Sequence, residues 1–275
     1  MTDITIIIPV HEWSEKVKEL LTKALKSVEK CREQYKDGKL PVLIVAPPLV
    51  DKQLTEDNAL NIIVDVKSTS NNGNTDFCSQ VNNAVELVET DFFSILEYDD
   101  TYKPKWFKLC KDYYYGNETI SAFLPVNVLH NSGQNWRFGN DFGLSNAFLS
   151  ADADDNDDLG IINFKRLEGC SMFNLTGAVI NRNDFIKVGG FKPSIKVAFN
   201  YEFLLRLTSK ELKCMVVPKE GYVHDLGREG SLTDTYSKTL TTEEVDKWFE
   251  LAYREYIHDE DRGKTISNND KEELK

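Results

Sequence analysis

Apolar residues along this chain fall into short continuous runs separated by stretches of helical periodicity. Ile4 to Ile8 is a β-branched run ended by Pro9, the pattern of a strand covered on both faces of a parallel sheet. Val17, Leu20, Leu21, Ala24, Leu25, Val28 and Cys31 then recur at helical spacing behind Ser14, a cap residue, and Asp37-Gly38 supplies a stop. Pro41 to Ala46 reads as a second strand closed by Pro47-Pro48, and Leu60 to Val66 as a third. Thr75 or Asp76 opens a second helix with inner face Phe77, Val81, Ala84, Val85 and Val88, and Phe92 to Leu96 is the fourth strand. Strands alternating with helices predict an α/β fold: βαβ units and a mostly parallel central sheet flanked by helices.

The alternation loosens after residue 100. A helix from Pro104 to Tyr115 and a strand from Ile120 to Val126 precede Asn131 to Gly160, a stretch rich in Gly, Asn, Asp and Ser that carries Trp136, Phe138, Phe142 and Phe148. It reads as a long functional loop region suited to acceptor contacts. Short helices over Asp184–Val188 and Tyr201–Ser209, a strand over Lys213–Val217 and a final helix opened by the capping box of Thr241 and Glu244 complete the pattern. We expect one domain over residues 1–257, with halves 1–100 and 101–257, and a charged, disordered tail over 258–275.

Composition narrows the classes. Thirty-three Lys and Arg against 45 Asp and Glu leave a net charge of −12, which repels polyanions and removes the usual footprint of a nucleic-acid binder. No apolar run approaches the ~20 residues that span a bilayer, and the first residues form a strand pattern instead of a signal peptide; a cytoplasmic protein with no membrane partner is expected. Five widely spaced cysteines without a C-x-x-C pair suggest neither a disulfide framework nor zinc.

Open parallel sheets bind ligands beyond the carboxyl ends of their strands, which puts Pro9-Val-His-Glu12, the Ser68–Asn74 turn and Glu97-Tyr-Asp-Asp100 around one crevice. Three carboxylates directly after an apolar strand repel one another unless a cation lies between them, and hard oxygen ligands suit Mg²⁺ or Mn²⁺ bridging phosphates. A solvated acidic turn ahead of the Pro104 helix explains the same residues equally well.

Further pieces decide between them. Ile6-Ile-Ile-Pro-Val-His-Glu12, Asn71-Asn-Gly-Asn74, Val81-Asn-Asn83, Glu97-Tyr98-Asp99-Asp100, Leu175-Thr-Gly-Ala178, Val188-Gly-Gly-Phe191 and Asn200-Tyr-Glu-Phe-Leu-Leu-Arg206, in this order and spacing, resemble the family 2 glycosyltransferases of the GT-A fold over most of residues 4 to 232. Asn74 to Asn82 and Phe173 to Gly177 look most like members encoded by large tailed phages. The resemblance implies a glycosyltransferase moving a sugar, with inversion, from a nucleotide-diphosphate donor. UDP is expected from family frequency and Mn²⁺ or Mg²⁺ as cofactor. It implies that Asp99 holds the cation, Glu97 contacts ribose or metal, and Asp100 sits at the donor sugar. Pro9, His11, Glu12, Asn72, Tyr98 and Gly177 would line the nucleotide-sugar site, and the Tyr222–Ser231 stretch would close over the diphosphate through His224, as metal ligand, and Arg228. The acceptor is then a glycan or a modified DNA base, such as a hydroxymethylated base or a sugar attached to one.

Two departures are visible. The Glu-Asp pair expected at the acceptor-side helix start aligns with Phe199-Asn200, so Glu202 becomes the candidate base, with an ion pair to Arg206 as its alternative role and an N-cap as that of Asn200. Strand two ends in Ala46-Pro47-Pro48 where that family often has Asp-Asp, leaving base specificity open. A nucleotidyltransferase of similar fold lacks support because Pro9-Val-His-Glu12 is no Gly-rich phosphate loop; a non-catalytic sugar or nucleotide-binding module is the other alternative. Lys103, Lys105, Lys108 and Lys111 form a basic strip, read first as a solvated helix face.

Overall fold

The computed structural model describes residues 1–71, 73, 76–131, 134–140, 160–226 and 238–256. The elements in chain order are β1 (Ile4–Pro9), α1 (Glu15–Gln34), β2 (Val42–Ala46), α2 (Pro48–Glu56), a 3₁₀ turn (Ala59–Ile62), β3 (Val66–Ser70), α3 (Phe77–Leu87), β4 (Phe92–Ile95), β5 (Thr101–Tyr102), α4 (Trp106–Tyr114), β6 (Ile120–Asn131) and β7 (Gln134–Gly139), followed by β8 (Ile161–Ile162), α5 (Phe164–Gly169), β9 (Val179–Asn181), α6 (Arg182–Lys187), α7 (Phe199–Thr208), β10 (Lys213–Leu226) and α8 (Thr242–Tyr256).

The sheet is mixed, which corrects the expectation of a mostly parallel one. Its order is β3-β2-β1-β4-β9-β6-β10-β5, with β7 added on β6 and β8 on β10. The βαβ units keep β3, β2, β1 and β4 parallel, and β6 runs parallel to β10. β9 enters antiparallel between β4 and β6, and β5, β7 and β8 are also antiparallel. β9 is three residues running directly into α6.

Side-chain alternation on β1 divides the core. Ile4, Ile6 and Ile8 face the layer holding α1, α2 and α4, while Ile7 faces α3, α5, α6 and α7. Ser14 caps α1 by accepting from the Val17 N–H, Asp76 caps α3 by accepting from Ser79, and Thr241 and Glu244 form the reciprocal capping box of α8. The third strand is displaced: Leu60 to Ile63 forms a turn packed on the core, and the strand is the polar run Val66–Ser70. β3 has one neighbour and a half-exposed face, so it needs no apolar run. α2 follows Pro47, because proline at the first helical position starts a helix as readily as it ends a strand. No described helix is long and apolar enough to cross a membrane.

Two glycines allow the close packing beneath the site. Gly177 has φ +74°, and a Cβ there would lie 2.4 Å from the Tyr222 ring; one on Gly221 would lie 2.4 Å from Trp106. Trp106 uses that proximity to donate its indole N–H to the Gly177 carbonyl at 2.8 Å.

Candidate active site

The acidic segment lies at the carboxyl end of β4, where a turn closes by the Asp100 N–H donating to the Glu97 carbonyl at 3.0 Å. Asp100 is buried, 1% exposed. An isolated buried carboxylate is costly, and β10 supplies its partners. The Tyr222 hydroxyl donates to Oδ2 at 2.8 Å, His224 Nδ1 lies 2.8 Å from the same oxygen, and the Asp225 N–H donates to Oδ1 at 2.8 Å. Tyr222 also accepts from the Glu97 N–H at 3.1 Å. One tyrosine thus ties both ends of the acidic turn to β10.

Burial disfavours a charged His224, but Asp100, with support from Glu97 and Asp99, outweighs it and pushes the imidazole pKa up to about 9. Burial likewise raises the Asp100 carboxyl, against the pull of His224. Glu97, Asp100 and His224 each present a ligand atom within 4.8 Å of the others. The two carboxylates are the kind of ligand that suits Mn²⁺ or Mg²⁺, and the His224 imidazole would join them as a third ligand on losing its proton. Asp99, the expected ligand, is buried and lies outside this group of three.

The residues expected to line the nucleotide-sugar site converge partly. Tyr98 is buried and donates to Glu12 Oε1 at 3.3 Å, with the His11 ring 5.6 Å from its own and His11 Nε2 3.9 Å from the same Glu12 oxygen. Pro9 closes β1 just before them, and Asn71 joins β3 to β2 by donating its N–H to the Ala46 carbonyl at 2.9 Å. Asn72 and Arg228 lie outside the described residues, as do the Asp152–Asp158 run, Phe142, Phe148 and the segment from 258 onward.

On the other side an asparagine hub supports the Thr176-Gly177 turn. Asn174 Oδ1 accepts from the Thr176 N–H at 2.9 Å, the Thr176 hydroxyl at 2.6 Å and Asn200 Nδ2 at 3.2 Å. Asn140 and Asn174 pair in both directions, each bond 2.7 Å, and Thr176 Oγ1 stands 3.5 Å from Glu97 Oε1. Asn200 is therefore a prop for this turn, and the N-cap of α7 is Ala198.

Glu202 is held in a network of its own. Its carboxylate, 0% exposed, accepts from Arg206 at 3.0 and 2.9 Å and from the Tyr256 hydroxyl at 2.5 Å, and lies 2.9 Å from Lys192 Nζ. Burial raises its pKa, but these donors prevail and leave it below the usual glutamate value, the wrong direction for a base. The ion-pair role, not the base role, is the one its surroundings provide. The basic strip is also spoken for: Lys103, Lys108 and Lys111 pair with Glu220, Asp112 and Asp37. Asn82 and Phe191, from two separate sequence motifs, exchange two 2.8 Å bonds; these motifs hold α3 to the loop after α6.

Tyr222, Thr176 and Asp225 were not singled out from the sequence. A tyrosine two residues before a histidine on one strand shares its face, which is the signal that could have found Tyr222.

No family model matches the sequence, and no curated protein does either. Solved structures do match. Residues 1–349 of Staphylococcus aureus TarS in complex with UDP-GlcNAc align over 100% of this chain and 70% of that one, at 13% identity and TM-score 0.64. The same protein with UDP aligns over 95% and 68%, at 13% identity and TM-score 0.61, and without a ligand named over 98% and 77%, at 12% identity and TM-score 0.59. The chain has a GT-A-like fold with a mixed sheet.

Proposed function

We propose that this chain is a glycosyltransferase that takes a sugar from a nucleotide-diphosphate donor, UDP-linked, with a divalent cation held by Glu97, Asp100 and His224. The observation that carries the reading is the convergence of these three residues at the end of β4, in a fold like that of a protein crystallised with UDP-GlcNAc. Mn²⁺ or Mg²⁺ at such a donor set supplies neutralisation of charge on a departing diphosphate. The protein's own part is preorganisation: Tyr222, His224 and Asp225 fix Asp100, and Thr176 faces Glu97. His11, Glu12 and Tyr98 form the wall against which the nucleoside is seated, Pro9 fixing its edge, with Asn72 and Arg228 as further contacts.

Inversion, expected from the resemblance, needs a base facing the acceptor, and we do not assign it to Glu202, whose lone pairs are engaged. The acceptor stays within the classes the resemblance implies, a glycan or a modified DNA base. Calorimetry tests the donor half. UDP-GlcNAc should bind in the presence of Mn²⁺ and lose most of its affinity on adding a chelator or in Glu97→Gln; equal binding in all three conditions would remove the metal-assisted reading.

A further inference from the structure

A second concave surface lies along α1. Lys23, Lys26 and Lys30 of α1, with Thr101, Tyr102 and Pro104, line an open cleft of about 510 Å³, within the usual range for small-molecule sites. Its charge is opposite to that of the chain. Against a net −12, this wall presents three lysines at i, i+3 and i+7 of one helix, with Glu19 the one carboxylate among its lining residues.

Lys26 and Lys30 are four residues apart, a like-charge spacing that disfavours the helix, and among the described residues neither forms an ion pair. Lys23 pairs with Asp225 Oδ2 at 3.0 Å, and the Asp225 N–H holds Asp100. The cleft is thereby joined to the acidic turn through two hydrogen bonds. The hydroxyls of Thr22 and Ser27 are already committed as donors to backbone carbonyls, so the ligand-directed donors are the ammonium groups and Thr101.

From this we infer that the α1 cleft binds a phosphate-bearing small molecule, its dianion seated between Lys26 and Lys30 and reaching towards Lys23. Lysine is a point-charge phosphate binder, and a concave wall focuses its field where a flat face would not. A bound dianion also relieves the repulsion along α1. The inference does not depend on the donor reading.

The test is titration of the full chain, with saturating UDP and Mn²⁺ present, by inorganic phosphate and separately by glucose 6-phosphate at low ionic strength. The expected result is saturable 1:1 binding that weakens by about tenfold in the Lys26→Gln/Lys30→Gln variant, with UDP binding unchanged. Both lysines are exposed, so the fold is not at risk, and a thermal melt checks it. Tighter binding of glucose 6-phosphate than of phosphate identifies a sugar-bearing ligand; equal binding identifies the phosphate group alone. Absence of saturable binding, or equal affinity in the variant, overturns the cleft as a site. Failure of UDP to bind while phosphate still does would instead remove the donor reading and leave this one standing.

Discussion

Replacing Glu202 with Gln separates a structural role from a catalytic one. The carboxylate sits with no exposure between the two guanidinium contacts of Arg206, the ammonium of Lys192 and the hydroxyl of Tyr256. Arg206 is itself 7% exposed and also donates to the Val188 and Gly190 carbonyls, so it cannot follow its charge into water. Removing one partner of a buried pair costs about 3–5 kcal/mol. The exposed third of Lys192 can re-solvate, which points to the lower end, about 3 kcal/mol. For a chain of 275 residues, with an unfolding entropy of about 2.1 cal/mol/K per residue, that corresponds to a fall in Tm of roughly 5 °C. The assay pairs thermal or urea unfolding with donor turnover measured well below the variant's Tm. The expected outcome is a large loss of stability with turnover per folded molecule within about threefold of wild type. Unchanged stability with turnover reduced by about 10³ or more would refute this reasoning and restore Glu202 as the base.

Other consequences follow from the same contacts. The folded-state pKa of Glu202 is depressed, so its contribution to stability is present above the ordinary glutamate value of about 4.3 and is lost as pH falls through the lower folded value; urea midpoints should drop more steeply below about pH 4 in wild type than in Glu202→Gln, and parallel curves would contradict this. Gly177→Ala forces a Cβ against Tyr222 at a positive φ; a loss of about 2–4 kcal/mol and weaker metal-dependent UDP binding are expected in denaturant and calorimetric titrations. Tyr222→Phe keeps the ring but leaves Asp100 Oδ2 and the Glu97 N–H each one partner short; a cost of about 1–3 kcal/mol in urea unfolding is expected, and none would show that the tie between β10 and the acidic turn is inessential.

Much of the fold was legible because burial writes itself into sequence. Ile4–Ile8 and Phe92–Leu96 are apolar on both faces, and Ser14, Asp76 and Thr241 mark helix starts by chemistry that needs no tertiary context. β3 was misplaced because an edge strand can be polar while the apolar residues before it pack as a turn. The antiparallel insertion of β9 was invisible, since three residues carry no periodicity. Long-range partners were the hardest to see. Nothing local in Glu202 distinguishes a base from an ion pair until Lys192 and Tyr256, 10 and 54 residues away, are brought to it. Likewise Asp99 and Asp100 are adjacent carboxylates, and only the fold shows that Asp100 is the one gripped by β10.

The central claim is that Glu97, Asp100 and His224 form a cation site serving a UDP-sugar donor, and release of UDP from UDP-GlcNAc by the purified chain tests it most directly. Slow Mn²⁺-dependent UDP release, abolished by chelator and reduced by about 10² or more in Glu97→Gln, is the predicted result. Release that is indifferent to both the cation and Glu97 would contradict it.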